Sequence, residues 1–296
     1  LKNVAFRDKL TVEQLHHKLL FEVKMLNIRF LKVYRVSLFM ALLLAFSANS
    51  SPALAWQFYT GENISEINAG IVVLEPDNWS RDQLLQLKAQ GRRTLAWLNL
   101  TQIEEHRIVP VDIRDRDYIL SGRYRPENMK IAVFYHQSFR RLVQTRMREY
   151  LLKGFSGIVL AKTGYYNLIS NSPINRSEMW RLITFLADDA IKINPAAEII
   201  IHNSEDFWPE IKTTPAISGV LAEGLFFSPQ GRQVRLWQRQ KRLDTLKDLL
   251  EAGKRVMIAE DARTEKRRQQ VKTEAAKLNL LAEFVTLPLT INERKP

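Results

Sequence analysis

Glu223 follows the apolar run Gly219-Val220-Leu221-Ala222. A carboxylate directly after a short buried strand is costly to leave unpaired, and that is where ligand chemistry is usually placed. Other strand ends offer complementary groups. Glu104 and Arg107, three apart, either grip a ligand or pair with each other. His202-Asn203 supplies hydrogen-bonding groups after Glu198–Ile201, and Tyr135 and Tyr165 carry rings that can stack on sugar faces. Glu75, Glu260 and Asp261 add further carboxylates. Such a ring suits glycoside cleavage, in which one acid protonates the leaving oxygen while a carboxylate attacks or activates water. The run Gly157–Leu160 breaks the pattern, because it ends in Ala161, a methyl where an acid is expected. Its neighbour Lys162 cannot replace that acid, since an inward ammonium stabilises ionised Glu223. No HxH or HExxH spacing joins His106, His136 and His202, so neither metal nor other cofactor is expected.

These groups need strands to hold them. Eight short, non-alternating apolar runs are expected as strands buried on both faces of a parallel sheet. They are Gly70–Leu74, Thr94–Leu98, Ile131–Tyr135, Gly157–Leu160, Glu198–Ile201, Gly219–Ala222, Arg255–Ala259 and Glu283–Leu287. Between them lie helical patterns. Arg81–Gln90 stops at Gly91, Phe139–Lys153 at Gly154 and Val234–Ala252 at Gly253, while Glu178–Ile193 carries an apolar stripe. Residues 102–130 form the longest irregular connection, of a length that usually marks a functional loop. Strands alternating with helices in this way favour an α/β fold, a single (β/α)8 TIM barrel. A doubly wound open sheet shares the pattern, but no glycine-rich fingerprint follows the first strand.

Residues 1–55 are read separately. Arg29, Lys32 and Arg35 precede the apolar run Val36–Ser47, which is followed by Ala53-Leu54-Ala55. That order describes a secretory signal peptide, and the run is shorter than the roughly 20 residues a spanning helix needs. Cleavage after Ala55 is expected, with translation starting at Met25 and residues 56–296 forming the barrel. The product would be periplasmic or extracellular; an uncleaved membrane anchor is the alternative. With no cysteine among 296 residues, an exported chain depends on its core rather than on disulfides. The formal charge of +12 falls to about +7 over residues 56–296. Basic stretches such as Arg232–Lys247 and Arg263–Lys277 read as solvated faces or as a match for an anionic surface. No nucleic-acid motif is present and no protein partner is expected.

Four segments, in order, resemble the endo-α-1,4-polygalactosaminidases of glycoside hydrolase family 114. LAWLNLTQIEEHR (Leu95–Arg107) is similar to the family's aYlnvGeaEdyR, matching at Glu104 and Arg107. GFSGIVLAKTGYY (Gly154–Tyr166) is similar to GfDGvfLDnvDaY, and IIIHNSEDF (Ile199–Phe207) to a segment ending Gln-Asn-Gly. ISGVLAEGLFF (Ile217–Phe227) is similar to idgVvvEslff, with Glu223 on its glutamate. The resemblance implies a barrel that cleaves amino-sugar polymers with an aspartate after the fourth strand and a glutamate after the sixth. Ala161 stands at the aspartate position, Gly164 at the pattern's next acid, and Thr101-Gln102 at its Gly-Glu pair. Three readings follow. The first is a glycosidase using Glu223 as general acid/base with a substituted partner such as Glu104, Glu75 or Asp261. The second is a barrel that binds polysaccharide or oligosaccharide without turnover, a pseudoenzyme. The third is an exported interaction barrel.

Overall fold

The computed structural model describes residues 55–104, 119–120, 129–168, 173–285 and 289. The export signal expected within residues 1–55 lies outside this set except for Ala55. So do Arg107, His106 and most of the long connection. Among the described residues no helix is long and apolar enough to cross a membrane.

The elements in chain order begin with strands β1 (Trp56–Tyr59) and β2 (Ile71–Leu74), helix α1 (Arg81–Ala89) and strand β3 (Arg93–Asn99). Three short strands, β4 (Gln102–Glu104), β5 (Ile119–Leu120) and β6 (Met129–Ala132), precede α2 (Gln137–Lys153). The series continues through β7 (Gly157–Ala161), α3 (Pro173–Ile193), β8 (Glu198–His202), α4 (Trp208–Thr213) and β9 (Gly219–Glu223). It closes with α5 (Leu236–Glu251), β10 (Arg255–Glu260), α6 (Glu265–Lys277) and β11 (Leu281–Phe284). Eight strands pair in parallel in the order β1-β2-β3-β7-β8-β9-β10-β11. The Trp56 indole N–H donates to the Leu281 carbonyl at 2.9 Å, tying the first strand to the last. The result is a nearly closed parallel barrel ringed by helices, the (β/α)8 architecture.

Two strand assignments from sequence are corrected. Ile131–Tyr135 is not a barrel strand. Its first residues belong to β6, the middle of a separate antiparallel sheet ordered β4-β6-β5, and the remainder leads into α2. The first barrel strand is instead Trp56–Tyr59, the first residues after the expected cleavage point. The last strand is Leu281–Phe284 rather than Glu283–Leu287. The helix stops hold: Gly91 and Gly154 follow α1 and α2 with φ of 75° and 123°, a region open to glycine.

Side chains alternate between two cores, as the period of two requires. Val72, Leu74, Ile158, Leu160, Ile199, Ile201, Val220, Ala222, Val256 and Ile258 pack outward under the helices. Ile71, Val73, Leu95, Trp97, Val159, Ala161, Ile200, Leu221, Met257 and Ala259 fill the lumen. At the N-terminal ends of the strands, Glu198 is clamped between Arg93 and Arg255. Gly157 and Gly219 lie so near the neighbouring strand that a Cβ would stand 2.1 Å from a backbone carbonyl.

Candidate active site

Three consecutive barrel strands end alike. Ala161, His202 and Glu223 are the last residues of β7, β8 and β9, on their lumen faces, and each is followed by a residue with positive φ: Lys162 at 60°, Asn203 at 52° and Gly224 at 60°. Asparagine and glycine tolerate that conformation; lysine adopts it at a cost of roughly 1 kcal/mol. The turn interrupts the alternation, so Lys162, which a continued strand would send outward, is only 1% exposed.

Glu223 is the centre of the hydrogen bonding. Its Oε1 accepts from the Leu289 N–H at 2.7 Å and lies 2.8 Å from His202 Nε2; its Oε2 accepts from Asn203 Nδ2 at 3.0 Å. The Lys162 N–H donates to His202 Nδ1 at 3.1 Å. In the neutral ring the proton therefore sits on Nε2 and is donated to Glu223. Burial pushes His202 down and so keeps it neutral. Burial alone would raise Glu223, but His202, Lys162 and Asn203 together hold it down to about 2, and it is an anion at any ordinary pH. Burial lowers Lys162 while Glu223 raises it. Among the described residues the Lys162 Nζ has no hydrogen-bond partner, and it stands 5.3 Å from the centre of the Tyr165 ring. Tyr165 is itself raised by burial and by the charge of Glu223. Trp97 lies beneath, its ring 4.7 Å from that of His202.

The loops behind these residues are fastened to one another. Thr101 Oγ1 donates to the Lys162 carbonyl and Thr163 Oγ1 to the His202 carbonyl, at 3.0 and 2.8 Å. Arg242 donates to the carbonyls of Glu223 and Gly224 at 2.9 and 2.7 Å and pairs with Glu205. A Cβ on Gly164 would lie 2.4 Å from the Asn203 carbonyl oxygen, so no acid fits at 164 without moving the turn that holds Asn203. Beside Arg242 a groove of about 550 Å³ runs between the β8 end and α5, and Trp237 at its edge is 63% exposed.

Of the residues singled out from sequence, the fold gathers Glu223, Asn203 and Tyr165. Tyr135 is exposed, its ring edge-on to Phe134. The Glu104 backbone lies in β4, while its side chain and all of Arg107 fall outside the described residues. His136 caps α2 through Nδ1, and Trp208 is buried in the outer core. Asp261 is paired with Arg263. Glu260 points outward and accepts backbone N–H bonds from Leu225, Phe226 and Phe227, which fixes the loop after β9; burial raises it to about 7 against those bonds. Sequence reasoning set Lys162 aside as no substitute for an acid and read Glu283 only as the start of a strand. Period-two alternation through Leu281, Glu283 and Val285 was the available signal for the second, since Leu281 and Val285 pack on the lumen.

An eight-stranded parallel barrel with a largely buried glutamate at the C-terminal strand ends is an architecture that glycoside hydrolases use, among other enzymes. The match is specific: residues 44–287 fit the family model described as glycoside-hydrolase family GH114, and the chain belongs to that family. Among solved structures, it is similar to the glycoside hydrolase domain of PelA from Pseudomonas aeruginosa, with 18% identity and a TM-score of 0.64 over 79% of this chain and 94% of that one. It is similar in the same degree to Aspergillus fumigatus Ega3 in complex with galactosamine, with 16% identity and a TM-score of 0.64 over 80% and 92%. A search of curated protein sequences gives no match.

Proposed function

We propose that this barrel hydrolyses an N-acylated amino-sugar polysaccharide outside the cytoplasm, with Glu223 as the ionised carboxylate of the reaction. The carrying observation is the arrangement around Glu223. A neutral histidine, an asparagine and a backbone N–H all donate to it, and a buried ammonium lies nearby. Such a group suits attack at the anomeric carbon, or removal of a proton from water, better than donation of a proton. The substrate class is argued from family membership, from the galactosamine bound to Ega3 and from Lys162. An amine buried without an acceptor among the described residues favours a ligand oxygen, such as an acetamido carbonyl, over a second ammonium. The charge of about +7 over residues 56–296 likewise disfavours a fully de-acetylated, cationic polymer.

A second reading, binding without turnover, rests on Ala161: the lumen-facing end of β7 is a fully buried methyl. Incubation with a panel of α-linked galactosamine polymers of graded acetylation, reading binding and reducing ends for wild type and Glu223→Gln, separates the two. Reducing ends that vanish in the variant support hydrolysis. Binding with no reducing ends from wild type supports the second reading.

A further inference from the structure

We propose that Glu283, on β11, is the proton donor that complements Glu223, so that the acid pair of this barrel spans β9 and β11. The inference rests on the hydrolytic reading above. Register supplies the geometry. Glu223 pairs with Ala259 across β9 and β10, and Ala259 pairs with Glu283 across β10 and β11. The two glutamates are thus on one ladder row, two strands apart, or about 10 Å between Cα atoms at ordinary strand spacing. Ala161 lies two strands away on the other side of Glu223. Leu281 and Val285 pack on the lumen while Ala282 and Phe284 pack outward, so Glu283 faces inward. Strand tilt places it one layer below Glu223. Between them stands Ala259, whose methyl leaves open the space that a larger side chain would fill. Two inward glutamates so placed can each reach a sugar bound across the row between them, as the two carboxyls of a glycosidase do.

A purely structural role leaves Glu283 unexplained. No ion pair or side-chain partner engages it among the described residues, apart from the adjacent Phe284 N–H, and burial raises it to about 7 against that bond. Among the described residues the charged or titratable groups at the lumen are Glu223, His202, Lys162, Tyr165 and, by alternation, Glu75 and Asp261, the last paired with Arg263. From β1 the facing residue is Phe58, and outside β11 the Lys272 ammonium lies over Phe284. One carboxyl held ionised and a second kept protonated to neutrality is the division of labour that acid-assisted glycoside cleavage needs. In the step, the Glu283 proton passes to the glycosidic oxygen as its bond to the anomeric carbon breaks. A water oxygen bonds to that carbon and its proton passes to Glu223. Solvent then returns a proton to Glu283 and removes one from Glu223.

The test uses the full chain and a partly acetylated α-1,4-galactosamine polymer, with reducing ends followed from pH 4 to 9. Wild-type kcat/KM is expected to fall as pH rises through about 7. Glu283→Gln is expected to lose about 10²–10⁴-fold and that alkaline limb with it, and Glu283→Asp to recover part of both. Carbon-13 NMR of labelled glutamate side chains is expected to show two carboxyls titrating near 7, those of Glu260 and Glu283, of which one disappears in Glu283→Gln and the other in Glu260→Gln. A Glu283→Gln variant as active as wild type, or a Glu283 carboxyl titrating in the ordinary range, overturns the assignment and leaves the hydrolytic reading intact. A wild type that releases no reducing ends overturns both.

Discussion

Glu223→Gln isolates the energetics of one carboxylate held between donors. The native side chain accepts from His202 Nε2 and Leu289 N on one oxygen and from Asn203 Nδ2 on the other. A glutamine has one oxygen, so its amide N–H must face a donor on one side or the other. The carboxyl is lowered from 4.5 to about 2 in the folded state, so the unfolded chain binds more protons between those values. Stability from this group is therefore complete above about pH 5 and is lost as pH falls through 4.5 toward 2. The full shift corresponds to about 3 kcal/mol, of which about 2 kcal/mol is gone by pH 3. At pH 7 the variant is expected to be less stable by about 2–3 kcal/mol, and the gap should narrow by about 2 kcal/mol between pH 7 and 3. Urea titrations followed by tryptophan fluorescence at stepped pH measure both curves. Comparing the variant with wild type cancels other acids such as Asp189, which Arg148 also holds low. Parallel curves across that range would refute the reasoning, because they would mean that Glu223 carries no depressed pKa.

Further outcomes follow from the same contacts. Glu260 has the opposite sign: raised to about 7, it costs stability as pH rises from 4.5 to 7. Wild type should therefore lose roughly 2–3 kcal/mol relative to Glu260→Gln between pH 5 and 8 in the same titration. Gly164→Ala drives a methyl against the Asn203 carbonyl and is expected to lower the melting temperature, at a cost of about 1–3 kcal/mol, and to weaken polymer binding. Arg242→Ala frees the carbonyls of Glu223 and Gly224 and should destabilise by about 1–3 kcal/mol, with a larger loss in kcat than in binding. Lys162→Met removes a buried amine that has no acceptor among the described residues; it should keep or raise stability while reducing discrimination between acetylated and de-acetylated polymer in a binding assay.

The barrel was legible in sequence because six of its eight strands are largely apolar runs and three of the helices between them end at glycine stops. Trp56–Tyr59 was missed because a four-residue strand of mixed polarity, just after the expected cleavage point, carries no periodic signal. Ile131–Tyr135 misled for the opposite reason. Its first residues pair within the small antiparallel sheet and Ala132, Val133 and Phe134 are buried in the outer core, and composition does not say which sheet a run joins. Within the site, Glu223 and Asn203 could be read from their positions after strands. Lys162 could not be placed, because its direction depends on a left-handed φ that the residue type gives no reason to expect. Nor could the match of Glu283 with Glu223, which is set by the register of three strands.

The bond from Leu289 to Glu223 joins residues 66 positions apart in the chain. During synthesis the glutamate emerges well before its last donor, and strands β10 and β11 must form in between. Until then its charge lacks one of the groups that hold it ionised, and the lumen lacks Leu289, which helps to fill it. The site is therefore completed only by chain that follows the barrel's last strand, and a product released short of Leu289 can have most of the barrel without its finished centre.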